Sequence, residues 1–239
     1  MSLTPEQRGP ITVHVFESFR ELGVDAFVTD RFGGVSTGPY DSLNLGDHVG
    51  DDPTAVEANR ALVAEAAGAP LIFMRQVHGA HVRDSHLPLG EADGLTTMGG
   101  DALCVLVADC VPLVVADSRR LSVVHAGWRG ALGGVVERSL DMLRSMGASA
   151  CTSFLLSAIG PCCYEFGGDE LEAMVARFGP TITATTTWGT PSLSMPAVVA
   201  TACNAGGSRF VDLSDCTRCA TSGGGPVWFS HRRGDRGRH

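Results

Sequence analysis

Residues 102–130 read ALCVLVADCVPLVVADSRRLSVVHAGWRG, and the expected architecture is worked outward from this stretch. Ala102–Ala108 is a continuous apolar run bounded by Gly-Asp and Asp-Cys, the pattern of a strand buried on both faces. Val111–Ala116 and Leu121–His125 read as two further short strands. Gly133–Met146 then changes to a helical period, with Val135, Val136, Leu140 and Leu143 as its apolar residues. Toward the N-terminus, Thr12–Phe16 and Val24–Thr29 are β-rich runs, followed by a loop over 30–49 dense in Gly, Ser, Asn and Asp; ordered loops of that length are usually functional. Asp51-Asp52-Pro53 opens an Ala-rich helix to Ala67, with Asp as N-cap and Pro in the first turn, closed by Gly68. Leu71–Arg75 reads as a strand that delivers Gln76-Val77-His78 to its end. Toward the C-terminus come a buried strand over Phe154–Ile159, helices over Asp169–Phe178 and Met195–Ala205, and a late strand over Val227–Ser230. Strands and helices interleave without strict βαβ alternation, which predicts an α/β layered sandwich with mixed β-sheets. No repeat, heptad or linker divides the chain, so residues 1–239 are expected to form a single domain.

Composition narrows the chemistry. All 18 basic residues are Arg, and the absence of Lys argues against a Walker-type phosphate loop and against Schiff-base, pyridoxal and kinase chemistry as normally built. Any anion must be held by Arg, backbone N–H groups or a metal. A net charge of -8 excludes nucleic acid as an expected partner, since phosphate-backbone binders carry a basic face. The N-terminus lacks the basic flank and apolar run of a signal peptide, and no window reaches the roughly 18 apolar residues of a membrane span, so the expectation is a soluble, cytoplasmic protein with no membrane partner. Eight Cys in such a chain predict reduced thiols and a metal site rather than a disulfide framework.

His78, Cys110 and His125 each follow a predicted strand, and strand ends on one sheet edge converge. Two imidazoles and a thiolate are a known catalytic zinc set with the fourth position open. Their spacing matches no local finger pattern, so buried Cys and hydrogen-bonded His remain the alternative on spacing alone. Among the other cysteines, Cys104 reads as a core residue, Cys162 as near the pocket and Cys163 as packed. Cys216-Thr217-Arg218-Cys219 has zinc-ribbon spacing on one side only, with no second pair, so no structural zinc is expected there.

Several segments, in order along the chain, carry a resemblance. They are Thr29–Ser36, Tyr40–Gly46, Asn59-Arg60, Gln76–Gly79, Glu91-Ala92-Asp93-Gly94, Ala108-Asp109-Cys110, His125–Gly130, Ile159-Gly160-Pro161-Cys162-Cys163-Tyr164-Glu165 and Phe229–Arg233. In these the sequence resembles the YfiH/PgeF-type family, the laccase-domain or polyphenol-oxidase-like proteins regarded as purine nucleoside phosphorylases. The resemblance implies a four-layer α/β sandwich and zinc on His78, Cys110 and His125; copper could enter the same site in vitro, since Cu²⁺ outcompetes Zn²⁺ at many nitrogen and sulfur sites. It further implies phosphorolysis of adenosine, inosine, guanosine and methylthioadenosine, with adenosine deamination as a side activity. Purine nucleoside and phosphate would then be the partners.

Within that chemistry, Arg60 and Arg129 are candidates to fork onto phosphate. Asp109 is a candidate to orient a ligand histidine or exchange protons, and Asn44 and Gln76 to meet ribose hydroxyls or base edges. Each has a plainer reading: a solvated Arg60, an Arg129 stacked on Trp128, an Asn44 bonding its own turn and an Asp109 that caps a loop. Three rival functions stand beside phosphorolysis. A copper polyphenol oxidase would need His-x-His pairs, and the nearest approach here is His78-Gly79-Ala80-His81. A cysteine hydrolase would use Cys110 and His125 as nucleophile and base, and a peptidoglycan-precursor editing hydrolase would fit the same site. Relatives in that family continue past Gly237-Arg238 with a further apolar segment, which predicts an unpaired sheet edge here. Arg232 or Arg233 is expected to touch the body of the fold.

Overall fold

The computed structural model describes residues 4–88, 90–222 and 225–239. Its main sheet sets Arg209–Asp212, Thr152–Leu155, Val111–Ala116, Leu121–Ala126, Gly94–Thr97 and Val82–Asp84 side by side in that order. The two central strands pair antiparallel from Val111↔Ala126 to Ala116↔Leu121, whereas the outermost pairs at each edge run parallel, so the sheet is mixed. Both central strands are buried almost throughout, as continuous apolar runs require. Among the smaller sheets are antiparallel Thr4–Arg8, Ile11–Val15 and Phe27–Thr29, and parallel Leu71–Phe73 with Ala102–Cys104.

Side-chain alternation makes these pieces into layers. Val111, Leu113 and Val115 face one way, into a core shared with Val135–Ser145, Gly168–Phe178 and Met195–Ala205. Val114 and Val123 face the other way and meet Phe16, Phe19, Val28 and Trp228. Beyond the smaller sheets, Val63 of the helix Pro53–Ala67 packs on Ile11, Val13 and Val15. The order is helix, sheet, sheet, helix: a layered mixed α/β sandwich.

The helix Pro53–Ala67 starts where Asp52 accepts from Thr54 N at 2.9 Å and stops at Gly68, which adopts φ 66°. Other segments depart from expectation. The run 102–108 is a strand only over Ala102–Cys104; beyond it Val107 exchanges backbone hydrogen bonds with His239, a single pair rather than a ladder. The helix expected over 133–146 is present over Val135–Ser145, and a separate short helix, Trp128–Gly133, precedes it and ends where Gly134 takes φ 89°. Past Leu155 the chain leaves the sheet, and 227–230 is buried but irregular, with Ser230 capping a turn over His231–Arg233. Apolarity signalled burial in each case; a strand needs a partner as well.

The long loop is held from inside. Asn59 is fully buried; it donates to Ser36 Oγ, Ser42 O and Asn44 O and accepts from Val35 N at 2.8 Å. A Cβ at Gly34 would lie 2.3 Å from Ser42 O, so the loop closes only around glycine. Asn59→Ala is expected to lower stability by about 3 kcal/mol or more, because several buried groups lose their partner at once. Urea unfolding measures this, and a loss within about 0.5 kcal/mol would contradict it.

A cavity of about 590 Å³ lies between the sheets among Val28, Leu103, Val105, Val114 and Val123, and none of His78, Cys110 and His125 lines it. Among the described residues, no helix is long and apolar enough to cross a membrane.

Candidate metal centre and active site

Because Val111 pairs with Ala126 and Pro112 with His125, the start of one central strand lies beside the end of the next. Cys110 therefore precedes its strand rather than following one, and antiparallel pairing, not a shared strand direction, brings it to His125. The loop after Leu71–Phe73 brings in His78. The donor atoms of His78, Cys110 and His125 all lie within 4.8 Å of one another, with Cys110 Sγ 3.8 Å from His78 Nε2.

One buried carboxylate arranges this group. Asp93 is fully buried; it meets His125 Nδ1 at 2.8 Å and accepts from the N–H groups of Val77, His78 and Gly79 at 3.3, 2.9 and 2.7 Å. These bonds hold His78 at φ 58°, a left-handed conformation unusual for a side-chain-bearing residue. With Nδ1 committed to Asp93, Nε2 of His125 is left for a ligand. Gly127 is needed for space: a Cβ there would sit 3.0 Å from His78 Cδ2 and 3.3 Å from Cys110 Sγ.

Burial opposes a charged Cys110, yet hydrogen bonds from His125 and His78 outweigh it and bring the thiol down to about 6. Burial likewise opposes a charged His125, but Asp93 and Cys110 lift it to about 9. The two shifts have one cause, a thiolate beside an imidazolium, each sustaining the other. Two imidazoles and a ready thiolate, one imidazole backed by carboxylate and the group open toward exposed His78, fit a soft or borderline divalent ion with an open position.

Asp109 does not orient a histidine; Asp93 does. Asp109 adopts φ 94°, accepting from Thr217 Oγ1 at 2.6 Å and Arg232 N at 2.7 Å, so it fastens the C-terminal segment beneath Cys110. Three other expected contacts are committed within the fold. Asn44 is fully buried, its amide shared among Gly46, Asp51 and Arg238 N. Gln76 exchanges two hydrogen bonds with the backbone of Leu106, and Arg60 donates to Leu45 O, faces Asp47 and stacks on Phe73. Packing on the loop is what consumes their polar atoms.

Arg129 remains exposed, its guanidinium 4.4 Å from the Trp128 ring centre. From there aromatic contacts run through Phe166 to Tyr164, over which lies the exposed Arg232. Burial, then the nearby Cys110 thiolate, pushes the Tyr164 hydroxyl up to about 12, so it stays neutral beside the centre. Arg233, by contrast, donates to the carbonyls of Thr217, Arg218 and Trp228 and serves the fold. Sequence reasoning missed Asp93 and Arg232 as site residues. The signal for Asp93 was its place in Glu91-Ala92-Asp93-Gly94, one of the segments that carry the family resemblance, just before the strand Gly94–Thr97.

Sandwich and site together define a layered α/β protein with a His/Cys centre at the ends of its central strands. The chain belongs to the family described as multi-copper polyphenol oxidoreductase laccase, whose model matches residues 25–239. It is similar to YlmD from Geobacillus stearothermophilus, with TM-score 0.82 and 27% identity over 99% of this chain and 96% of that one. It is also similar to purine nucleoside phosphorylase Rv2149c of Mycobacterium tuberculosis, at 41% identity over 86% of this chain and 85% of that protein. For purine nucleoside phosphorylase SCO2081 of Streptomyces coelicolor the identity is 42%, over 72% and 76%.

Proposed function

We propose that this protein is a cytoplasmic, zinc-dependent purine nucleoside phosphorylase, accepting adenosine, inosine, guanosine and methylthioadenosine, with adenosine deamination as a side activity. The observation that carries the reading is the His78–Cys110–His125 centre, backed by Asp93 and flanked by two exposed, aromatic-stacked arginines. The names of its relatives point the same way.

In phosphorolysis a phosphate oxygen bonds to the anomeric carbon as the carbon–nitrogen bond to the purine breaks; the bonding pair goes to the base, which then takes a proton. With no lysine in the chain, Arg129 and Arg232 supply the fixed positive charge for the attacking anion. The faces of Trp128, Phe166 and Tyr164 offer the purine a stacking surface. Asp93 keeps His125 in one tautomer and His78 in one backbone conformation. Zinc held by His78, Cys110 and His125 would supply Lewis-acid polarisation of a substrate oxygen.

The test is metal analysis of protein purified without added metal, followed by chromatography of adenosine reactions with and without phosphate. Adenine and ribose 1-phosphate formed only with phosphate are expected; inosine alone would mean a deaminase. Arg129→Lys keeps the charge but loses the fork, and KM for phosphate is expected to rise about 10-fold or more with a smaller change in KM for nucleoside. An unchanged phosphate KM would remove Arg129 from the anion site.

Cys110, His125 and Asp93 also have the order of a thiolate, imidazole and orienting carboxylate, which favours a cysteine hydrolase as the second reading. A thiolate occupied by zinc is not a free nucleophile, so metal content and a Cys110-directed alkylating agent separate the two. Copper competes for the same donors, and the same metal analysis reads it.

A further inference from the structure

Four of the remaining cysteines gather at a second place. Cys162 and Cys163 sit on a turn closed by Cys163 N donating to Gly160 O at 3.0 Å, and Cys216 and Cys219 on a turn closed by Ala220 N donating to Cys216 O at 2.9 Å. The second pair that the Cys216–Cys219 spacing lacked is thus supplied from more than fifty residues earlier; |i−j| is 57 between Cys162 and Cys219. All four Sγ atoms lie within 4.8 Å of one another, and the Cys162–Cys219 sulfur distance is 3.8 Å. A tetrahedron with metal–sulfur bonds of about 2.3 Å has sulfur–sulfur edges of about 3.8 Å. A disulfide would need about 2.05 Å, and all eight cysteines are free thiols.

The backbone is built for this meeting. Ala158 and Cys216 form a parallel bridge, with Ala158 N donating to Asp215 O and Thr217 N to Ala158 O. A Cβ on Gly160 would lie 3.1 Å from Cys162 Sγ and 3.2 Å from Cys216 Cβ, so a side chain here would crowd the approach of the two turns. Cys216 Sγ accepts from Gly160 N at 3.2 Å, and the N–H groups of Arg218 and Cys219 face the same sulfur. Backbone donors thus converge on the first sulfur of the Cys-x-x-Cys turn and fix its direction. We infer that Cys162, Cys163, Cys216 and Cys219 hold a second metal ion, a single tetrahedral zinc of structural type, separate from the centre at His78, Cys110 and His125.

Its consequence for the first centre is positional. Thr217, between the two cysteines of the later turn, donates to Asp109, the residue before Cys110. Tyr164 directly follows the earlier pair, so an ion here fixes both the floor under Cys110 and the aromatic rim. The inference is independent of whether the protein is a phosphorylase.

The experiment is metal stoichiometry on freshly purified full-length protein, together with Co²⁺ replacement. About two equivalents per chain are expected in the unaltered protein and about one in Cys110→Ala. In Cys110→Ala loaded with Co²⁺, thiolate-to-metal charge-transfer bands of a four-sulfur site are expected, and Cys216→Ser/Cys219→Ser should abolish them. If that double variant does not fold, the Cys110→Ala protein decides alone. Cys110→Ala without tightly bound metal, Co²⁺ bands lacking four-sulfur character, or disulfides among these four cysteines by mass spectrometry would each overturn the assignment.

Discussion

Cys110→Ala is expected to lower kcat/KM for adenosine phosphorolysis by about 10³-fold or more, with loss of the ion from the strand-end centre. Cys110 is the sole anionic donor of that centre, and two imidazoles without it bind a divalent ion far more weakly. Metal-assisted charge stabilisation contributes several kcal/mol to a transition state, and each 1.36 kcal/mol is about a factor of ten. The side chain is only partly buried and contributes little to the core, so the metal-free variant should unfold near the midpoint of metal-free unaltered protein. Steady-state kinetics with both substrates varied, beside metal analysis, checks this. Full activity in Cys110→Ala would exclude the zinc centre and the cysteine nucleophile together. His78→Ala tests the same centre from its exposed side, with activity loss of the same order expected.

The second large effect is expected at a residue that touches no substrate. Asp93→Asn keeps the shape of the side chain but puts an NH₂ group where an acceptor is needed, either against the Gly79 and Val77 amides or against His125 Nδ1. Breaking a buried, hydrogen-bonded pair of this kind costs about 3–5 kcal/mol. Loss of an outer carboxylate from a ligand histidine weakens metal binding by about 10–100-fold. Urea unfolding of metal-free protein and competition with a zinc chelator measure the two effects separately. There is a pH signature as well. Burial alone would raise the Asp93 carboxyl, but His125 and the Gly79 and Val77 amides hold it below its ordinary value. A depressed carboxyl contributes stability that is complete above its unfolded value of about 3.9 and is lost as pH falls through the lower folded value. Unaltered protein should therefore lose stability below about pH 4 partly through Asp93, and Asp93→Asn should show a flatter acid limb. An unchanged acid limb would mean that Asp93 does not carry this linkage.

Local signals were read well wherever a short-range cause was sufficient. Asp52, Pro53 and Gly68 delimit a helix by satisfying or ending its own backbone bonds, and the structure has that helix over Pro53–Ala67. Met195–Ala205 agrees residue for residue, with Ser194 as its cap. The segments that went wrong, 102–108, 154–159 and 227–230, are apolar for burial in an irregular path, and apolarity does not reveal whether a strand lies alongside. At the site, the donors His78, Cys110 and His125 were visible as chemistry-bearing residues next to apolar runs. Asp93 was not, because its role depends on bonds to His125 and to the 77–79 amides, which only the folded chain brings to it.

By itself the sequence determined which chemistry the chain can perform: no ammonium for an anion, cysteine and histidine for a soft metal, and apolar runs sufficient for a layered α/β core. Only the tertiary structure decided which of those groups act together. It turned Asn44, Gln76 and Arg60 inward to loop backbone, set Arg232 beside Tyr164, and joined Cys162-Cys163 to Cys216 and Cys219. The reason is physical: side-chain type is a property of one residue, whereas a ligand set or an orienting hydrogen bond exists only at distances of a few ångströms between segments far apart in the chain.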